Sequence, residues 1–211
     1  MLREAVKQIC NEIISEKNYL SMLDTKVGDG DHGLNMARGA TAALETIDEI
    51  DEYETANARE LLQSVGQAFI MNVGGAAGPL YGTGLIEAAK TLTKESKLNA
   101  ETLAKFLEAA VAGIKRRGHA KKGDKTMLDV LIPIHESIVA NIDKPIDKVL
   151  DNALAAAKSG VEYTKTIAAK RGRASYIGER SIGYEDPGAV STYIIFRTFC
   201  QFVKDYNLIE T

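Results

Sequence analysis

Cysteine is scarce in this chain of 211 residues: Cys10 and Cys200 are the only two. Both lie in apolar, helix-like stretches, which excludes a disulfide framework and a C-x-x-C metal pair and leaves them as small buried hydrophobes. Long hydrophobic runs are also missing, and no apolar stretch reaches the ~20 residues needed to span a bilayer. The first residues, MLREAVKQICNEIISEK, carry charges throughout and lack the apolar segment of a signal peptide. A cytoplasmic protein with no membrane partner is expected. Nor is there a surplus of basic charge. The formal net charge is −3 and the lysines and arginines are scattered, so nothing points to nucleic acid or to a membrane surface. Repeats, low-complexity tracts and linkers are absent too. What remains is 45% hydrophobic and 26% charged, ordinary for a globular protein long enough to bury a core, and a single domain over residues 1–211 is expected.

Alternating strand patterns are few, and helical periodicity dominates. Leu2, Val6, Ile9, Ile13 and Ile14 trace the face of a first helix, and a second runs from Leu34 to about Ile50 after a polar loop. Asn57 and Glu60 form a capping-box pattern ahead of a third. Pro79 suits the first position of a fourth. Asn99 caps a fifth, a sixth follows Thr126, Pro145 opens a seventh, and Asp186-Pro187 caps and opens the last. That last segment is apolar nearly all round from Tyr193 to Val203, so it should be central and buried. Tyr193-Ile194-Ile195-Phe196 has strand propensity, but its neighbours keep it helical. The expectation is an all-α antiparallel bundle or barrel of about eight helices. Alternation then brings the loops 24–33, 73–78, 118–124 and 170–188 to one rim.

The first of these loops holds Asp24, Asp29 and Asp31 with Gly28, Gly30 and Gly33. Glycines let such a loop fold tightly, and carboxylates suit magnesium, which takes oxygen ligands from protein, water and phosphate. A calcium EF-hand fails here, because its sixth and twelfth positions counted from Asp29 are Leu34 and Ala40 rather than Gly and Glu. A plain solvated turn is the simpler alternative. Gly74-Gly75-Ala76-Ala77-Gly78 feeds a helix start, where free N–H groups and the dipole favour anions. It is neither a Walker A loop nor a Rossmann turn, and close helix packing would explain it equally. The basic stretch Gly118 to Met127 and the arginine-rich stretch Arg171 to Gly188 suit phosphate contacts or mobile surface turns.

Taken together, the stretches GDGDHGLNM, NVGGAAGPLYGTG, GDKTMLDVL and GRASYIGERSIGYEDPGAVST resemble the ADP-binding L subunits of dihydroxyacetone kinases, in order and spacing and over nearly the whole chain. The resemblance implies an eight-helix antiparallel barrel with ADP or ATP at one end. It implies that Asp24, Asp29 and Asp31 hold two Mg2+ ions on the phosphates. His32, Gly33, Leu34 and Asn35 would line the nucleotide. Ala76 and Ala77 would form the phosphate loop, and Gly118, Thr126 and Met127 would lie near the adenosine. Arg173 and the run Asp186, Pro187 and Gly188 would make further contacts, with Arg173 also serving catalysis alongside the aspartates. One departure stands out: family members commonly carry Ser or Thr where this chain has Ala76 and Ala77. The implied activity is phosphoryl transfer to dihydroxyacetone held covalently on a histidine of a separate K subunit. In phosphotransferase-linked systems ADP stays bound and a phosphohistidine M subunit recharges it. Another small ketose as substrate, a nucleotide-sensing contact with a transcription regulator, and a homodimer are further roles open to such a chain.

Overall fold

The computed structural model describes residues 1–50 and 57–206. Those residues form nine α-helices and one 3-10 segment, with no strand among them. The helices are α1 (Leu2–Ser15), α2 (Lys17–Val27), α3 (His32–Glu49), α4 (Ala58–Asn72), α5 (Ala77–Ala89), α6 (Ala100–Gly118), α7 (Leu128–Ala140), α8 (Ile146–Lys165) and α9 (Pro187–Asp205), with the 3-10 segment at Arg173–Ser181.

Local chemistry explains most of the boundaries. The Asn57 side chain accepts from the Glu60 N–H at 3.0 Å while Glu60 reaches back to the Asn57 N–H at 3.3 Å, the reciprocal box expected before α4. Asn99 caps α6 by accepting from the Thr102 N–H at 2.8 Å. Asp186 caps α9 by accepting from the Ala189 N–H at 2.8 Å, with Pro187 at the first helical position. The Tyr193–Phe196 segment is helical, as its neighbours dictate.

Three features depart from the sequence pattern. The segment expected as a polar loop after α1 contains α2, whose buried stripe is Leu20, Asp24 and Val27. An aspartate inside that stripe breaks the apolar period that would have revealed it. Helix α5 begins at Ala77, which makes Pro79 its third residue rather than its first. The N–H it lacks is still one of the four with no intrahelical partner. Helix α9 lies against α8, α1, α2 and α7, yet Gln201 stays exposed and Arg197 half-exposed, so it is a wall of the assembly rather than its centre.

Each helix from α3 onward packs on the next, and α9 returns to α1, which packs on α3, so the helices close a ring. Only Glu16 separates α1 from α2, and the two barely touch, so α2 carries the chain onward instead of folding back. Leu20, Met36, Ile47, Ile134, Ile138, Val149 and Leu150 are almost wholly enclosed. Each is worth about 1.5–3 kcal/mol of transfer free energy.

Glycines set the close approaches. Gly78, Gly82 and Ile86 of α5 meet Phe69–Val73, Gly66–Ile70 and Gly66 of α4, a descending order that makes the pair antiparallel. A Cβ at Gly82 would fall on the Gly66 carbonyl and on Ile70. Gly82→Ala should therefore lower stability by about 1–3 kcal/mol through overpacking, although alanine raises intrinsic helix propensity by about 1 kcal/mol. Urea unfolding decides it, and a variant as stable as the parent or more so would show that the two backbones are not in contact there.

Candidate nucleotide and metal site

Asp24 sits in the last turn of α2, buried at 9% exposure. The chain then reverses within four residues to start α3. Gly28 donates its N–H to the Asp24 carbonyl at 2.6 Å, and a Cβ at Gly28 would run into the Asp24 carboxylate. Gly30 has φ +79°, a conformation that side chains disfavour. The reversal brings Asp29 and Asp31 back over Asp24, with one carboxylate oxygen of each within 4.8 Å of the others. Asp24 accepts from the His32 N–H at 3.1 Å. Asp31 stands at the N-cap of α3 but its side chain makes no cap bond, so its oxygens remain available at the positive end of the helix. Arg173 Nε forms an ion pair with Asp29 Oδ2 at 2.7 Å. Both partners reach solvent, so this pair contributes at most about 1 kcal/mol.

These carboxylates edge a cavity of about 410 Å³. Its lining includes the apolar Leu80, Ile114, Met127 and Leu128, the small residues Gly74–Ala77, and the stretches Arg171–Ala174 and Asp186–Gly188, the last of which lies against Met127. All four loop segments singled out in the sequence thus border one space. Asp24, Asp29, Asp31, His32, Asn35, Ala76, Ala77, Gly118, Thr126, Met127, Arg173, Asp186, Pro187 and Gly188 line it. Gly33 and Leu34 do not. Gly33 packs beneath the Lys17 carbonyl and Ser21, and Leu34 points to solvent at 50% exposure. A run of four residues in a helix cannot share one face; positions 32 and 35, three apart, do.

Two polar groups at the cavity, one half-buried and one buried, carry no signal in the sequence. The first is Tyr81. Its hydroxyl meets the Gly188 carbonyl at 2.9 Å, Ser191 Oγ at 2.8 Å and Thr192 Oγ1 at 2.8 Å, while His32 Nε2 meets the same Ser191 Oγ at 2.9 Å. This seam joins α3, α5 and α9. Burial pushes the Tyr81 phenol up to about 12 and the His32 imidazole down to about 4, so both are neutral at pH 7. The second is Lys125, whose ammonium donates to four carbonyls: Thr164 at 2.6 Å, Tyr184 at 2.6 Å, Ser181 at 2.8 Å and Ile167 at 3.3 Å. Nothing in a lysine between aspartate and threonine distinguishes it from a solvated turn residue. Burial also pushes the Asp186 carboxyl up to about 7, opposed by the Ala189 N–H and Lys125 and aided by Asp129 and Asp24.

Helix α7 starts at Leu128 with Met127 at its N-cap, and Thr126 lies one residue before that cap. The Thr126 hydroxyl accepts from the Leu128 N–H at 3.2 Å, and Asp129 accepts from the Thr126 N–H at 2.8 Å.

The family described as the DAK2 domain matches residues 26–201. The chain belongs to the DAK2-domain family. This DAK2 domain is 38% identical over 201 residues to the "PEP-dependent dihydroxyacetone kinase, ADP-binding subunit DhaL" of Escherichia coli K12, covering 93% of each chain. It is 40% identical over 185 residues to the "PEP-dependent dihydroxyacetone kinase 1, ADP-binding subunit DhaL" of Listeria innocua, covering 88% of this chain and 87% of that one. Its fold matches the crystal structure of the dihydroxyacetone kinase of C. freundii with a TM-score of 0.74 at 25% identity, covering 95% of this chain and 34% of that one. A second crystal structure of that enzyme, matched equally well, is a complex with AMP-PNP and Mg2+.

The polar seam carries a prediction for the DAK2 domain. Tyr81→Phe keeps the ring but removes the hydroxyl that links α5 to α9, and should cost about 1–2 kcal/mol of stability. An unchanged denaturation midpoint would mean that the hydroxyl does not tie the two helices.

Proposed function

We propose that this chain is the nucleotide-carrying subunit of a dihydroxyacetone kinase and acts as a single cytoplasmic domain. In this reading the closed ring is the family's antiparallel barrel, with Mg-ADP or Mg-ATP at the rim where the four loops meet. The observation that carries it is what lines one cavity: three carboxylates whose oxygens converge, the first residues of α5, Arg171 and Arg173, and the apolar side chains of Leu80, Ile114, Met127 and Leu128. Those groups suit metal, phosphate and base. The relatives named as ADP-binding subunits, matched over most of both chains, support it.

The donor set fits magnesium, because Asp24, Asp29 and Asp31 offer hard oxygens converging on one point. They would hold two ions, which when bound neutralise phosphate charge and polarise the transferring group. The protein's own groups supply position. The N–H groups at the start of α5, around Ala76 and Ala77, face the phosphates without help from side-chain hydroxyls. Arg173 presents a forked donor to a phosphoryl oxygen. Gly118, Thr126 and Met127 pack the adenosine beside Leu80 and Ile114, while His32, Asn35 and Asp186–Gly188 close the remaining side. Phosphoryl transfer depends mainly on positioning and charge neutralisation of this kind. The ketose would sit on a partner K subunit. The relatives' designation as PEP-dependent favours recharging of bound ADP by a phosphohistidine M subunit.

A different ketose is the second reading, favoured by 33% identity to an L-erythrulose 1-kinase of Mycolicibacterium smegmatis; the chain spans 33% of that protein.

Asp29→Asn tests the metal assignment. Calorimetry should show Mg2+-dependent ADP binding weakened by about 1.5–3 kcal/mol or more, the usual worth of a bond to a charged group, with the helical circular dichroism unchanged. Parent-like affinity in the variant with Mg2+ present would remove Asp29 from the site.

A further inference from the structure

Lys125 is 1% exposed, and no carboxylate lies within ion-pair distance of it among the described residues. A buried ammonium without an anion is costly unless its donors are filled. Here three N–H groups serve three short contacts, to Thr164, Ser181 and Tyr184, with a longer fourth to Ile167. The acceptors come from the last turn of α8, the turn after it, the end of the 3-10 segment and the approach to α9. The negative end of the α8 dipole adds to the attraction.

The backbone yields to make this possible. Lys125 has φ +59°, in the left-handed region that a lysine adopts only at a cost. Asp129 holds the turn in that shape by accepting from the Gly123 N–H at 2.5 Å and the Thr126 N–H at 2.8 Å. A position that would suit glycine therefore carries the largest fully buried side chain among the described residues, its ammonium among the carbonyls of α8 and the loop 166–186.

That loop bears Arg171 and Arg173 of the cavity lining, and it is joined to the Lys125 turn by little else. Lys170 donates its N–H to the Asp124 carbonyl at 3.0 Å, and Arg171 lies 3.6 Å from the Asp124 carboxylate. Thr164, whose carbonyl accepts from Lys125, also accepts the Asp186 N–H on its hydroxyl at 3.0 Å, so the clamp reaches the cap of α9. Thr126 and Met127, next in the chain, line the cavity with Arg171 and Arg173.

We propose that Lys125 is a positioning residue for the nucleotide cavity: one ammonium ties three carbonyls of the arginine-bearing loop, those of Ile167, Ser181 and Tyr184, to the Thr164 carbonyl of α8, and so sets the distance between that loop and the cavity lining at Thr126 and Met127. Its effect on ADP rests on the nucleotide reading above; its effect on the loop does not.

Lys125→Gly is the informative variant, because glycine accepts the backbone conformation and leaves a carbonyl-lined space. Hydrogen exchange on the nucleotide-free chain should show amides of residues 166–186 exchanging about tenfold faster or more, as expected when a bond to a charged group is lost, with α3–α6 unchanged. ADP affinity measured with Mg2+ should fall by a similar factor. Added methylammonium, which brings N–H donors, should restore both, whereas tetramethylammonium, which has none, should not. Unchanged loop protection, loss of protection throughout the chain, unchanged ADP affinity in a loosened loop, or equal rescue by both cations would each overturn the proposal. If the parent chain binds no ADP, the nucleotide reading fails, and the exchange and rescue measurements still decide the clamp.

Discussion

Three carboxylates with oxygens inside 4.8 Å of one another repel, and the rest of the site is arranged around that repulsion. Two unit charges at 4 Å near a protein surface interact by about 4 kcal/mol. The fold offsets part of it locally. Asp24 takes a backbone N–H from His32, Asp31 sits at the positive end of α3, and Asp29 is paired with Arg173. None of these removes the charge, so the cluster keeps a standing preference for a cation. The two helices that create it are joined by a turn which needs Gly28 clear of the Asp24 carboxylate and Gly30 at positive φ. The closeness of the three carboxylates is thus set by the backbone as much as by the side chains.

The same economy governs the remaining walls. Helices α4, α5 and α6 approach closely at Gly66, Gly82, Gly84 and Gly113, which brings the start of α5 beside the end of α6. The small residues 74–77 then leave room rather than filling it, and Leu80, Ile114 and Met127 supply a dry surface within reach of the carboxylates. Polar contacts that hold this shape lie along the cavity lining, in the Tyr81–Ser191–His32 seam and in the carbonyls around Lys125. Rigid support beneath loops is what lets loops carry function.

Much of this was legible in the sequence. Caps at Asn57, Asn99 and Asp186 are local interactions, set by residues three apart, and they appear where their spacing puts them. The aspartate loop was legible because acidic residues among glycines have few structural uses. Helix α2 was hidden because its buried stripe includes Asp24, a residue placed for the site rather than for the core. Gly33 and Leu34 were read as part of a continuous lining segment, whereas the helical turn there exposes only His32 and Asn35 to the cavity. Tyr81 and Lys125 escaped notice because their partners lie more than 35 positions away in the chain, and only the closed ring brings them together.

The central claim is that the carboxylate cluster and the cavity beside it form one metal–nucleotide site. Native mass spectrometry of the intact chain with ADP and Mg2+ tests it most directly. The account predicts a complex carrying one ADP and two magnesium ions, lost on chelation of the metal. ADP retained equally after chelation, or a chain that keeps neither ADP nor metal, would contradict it.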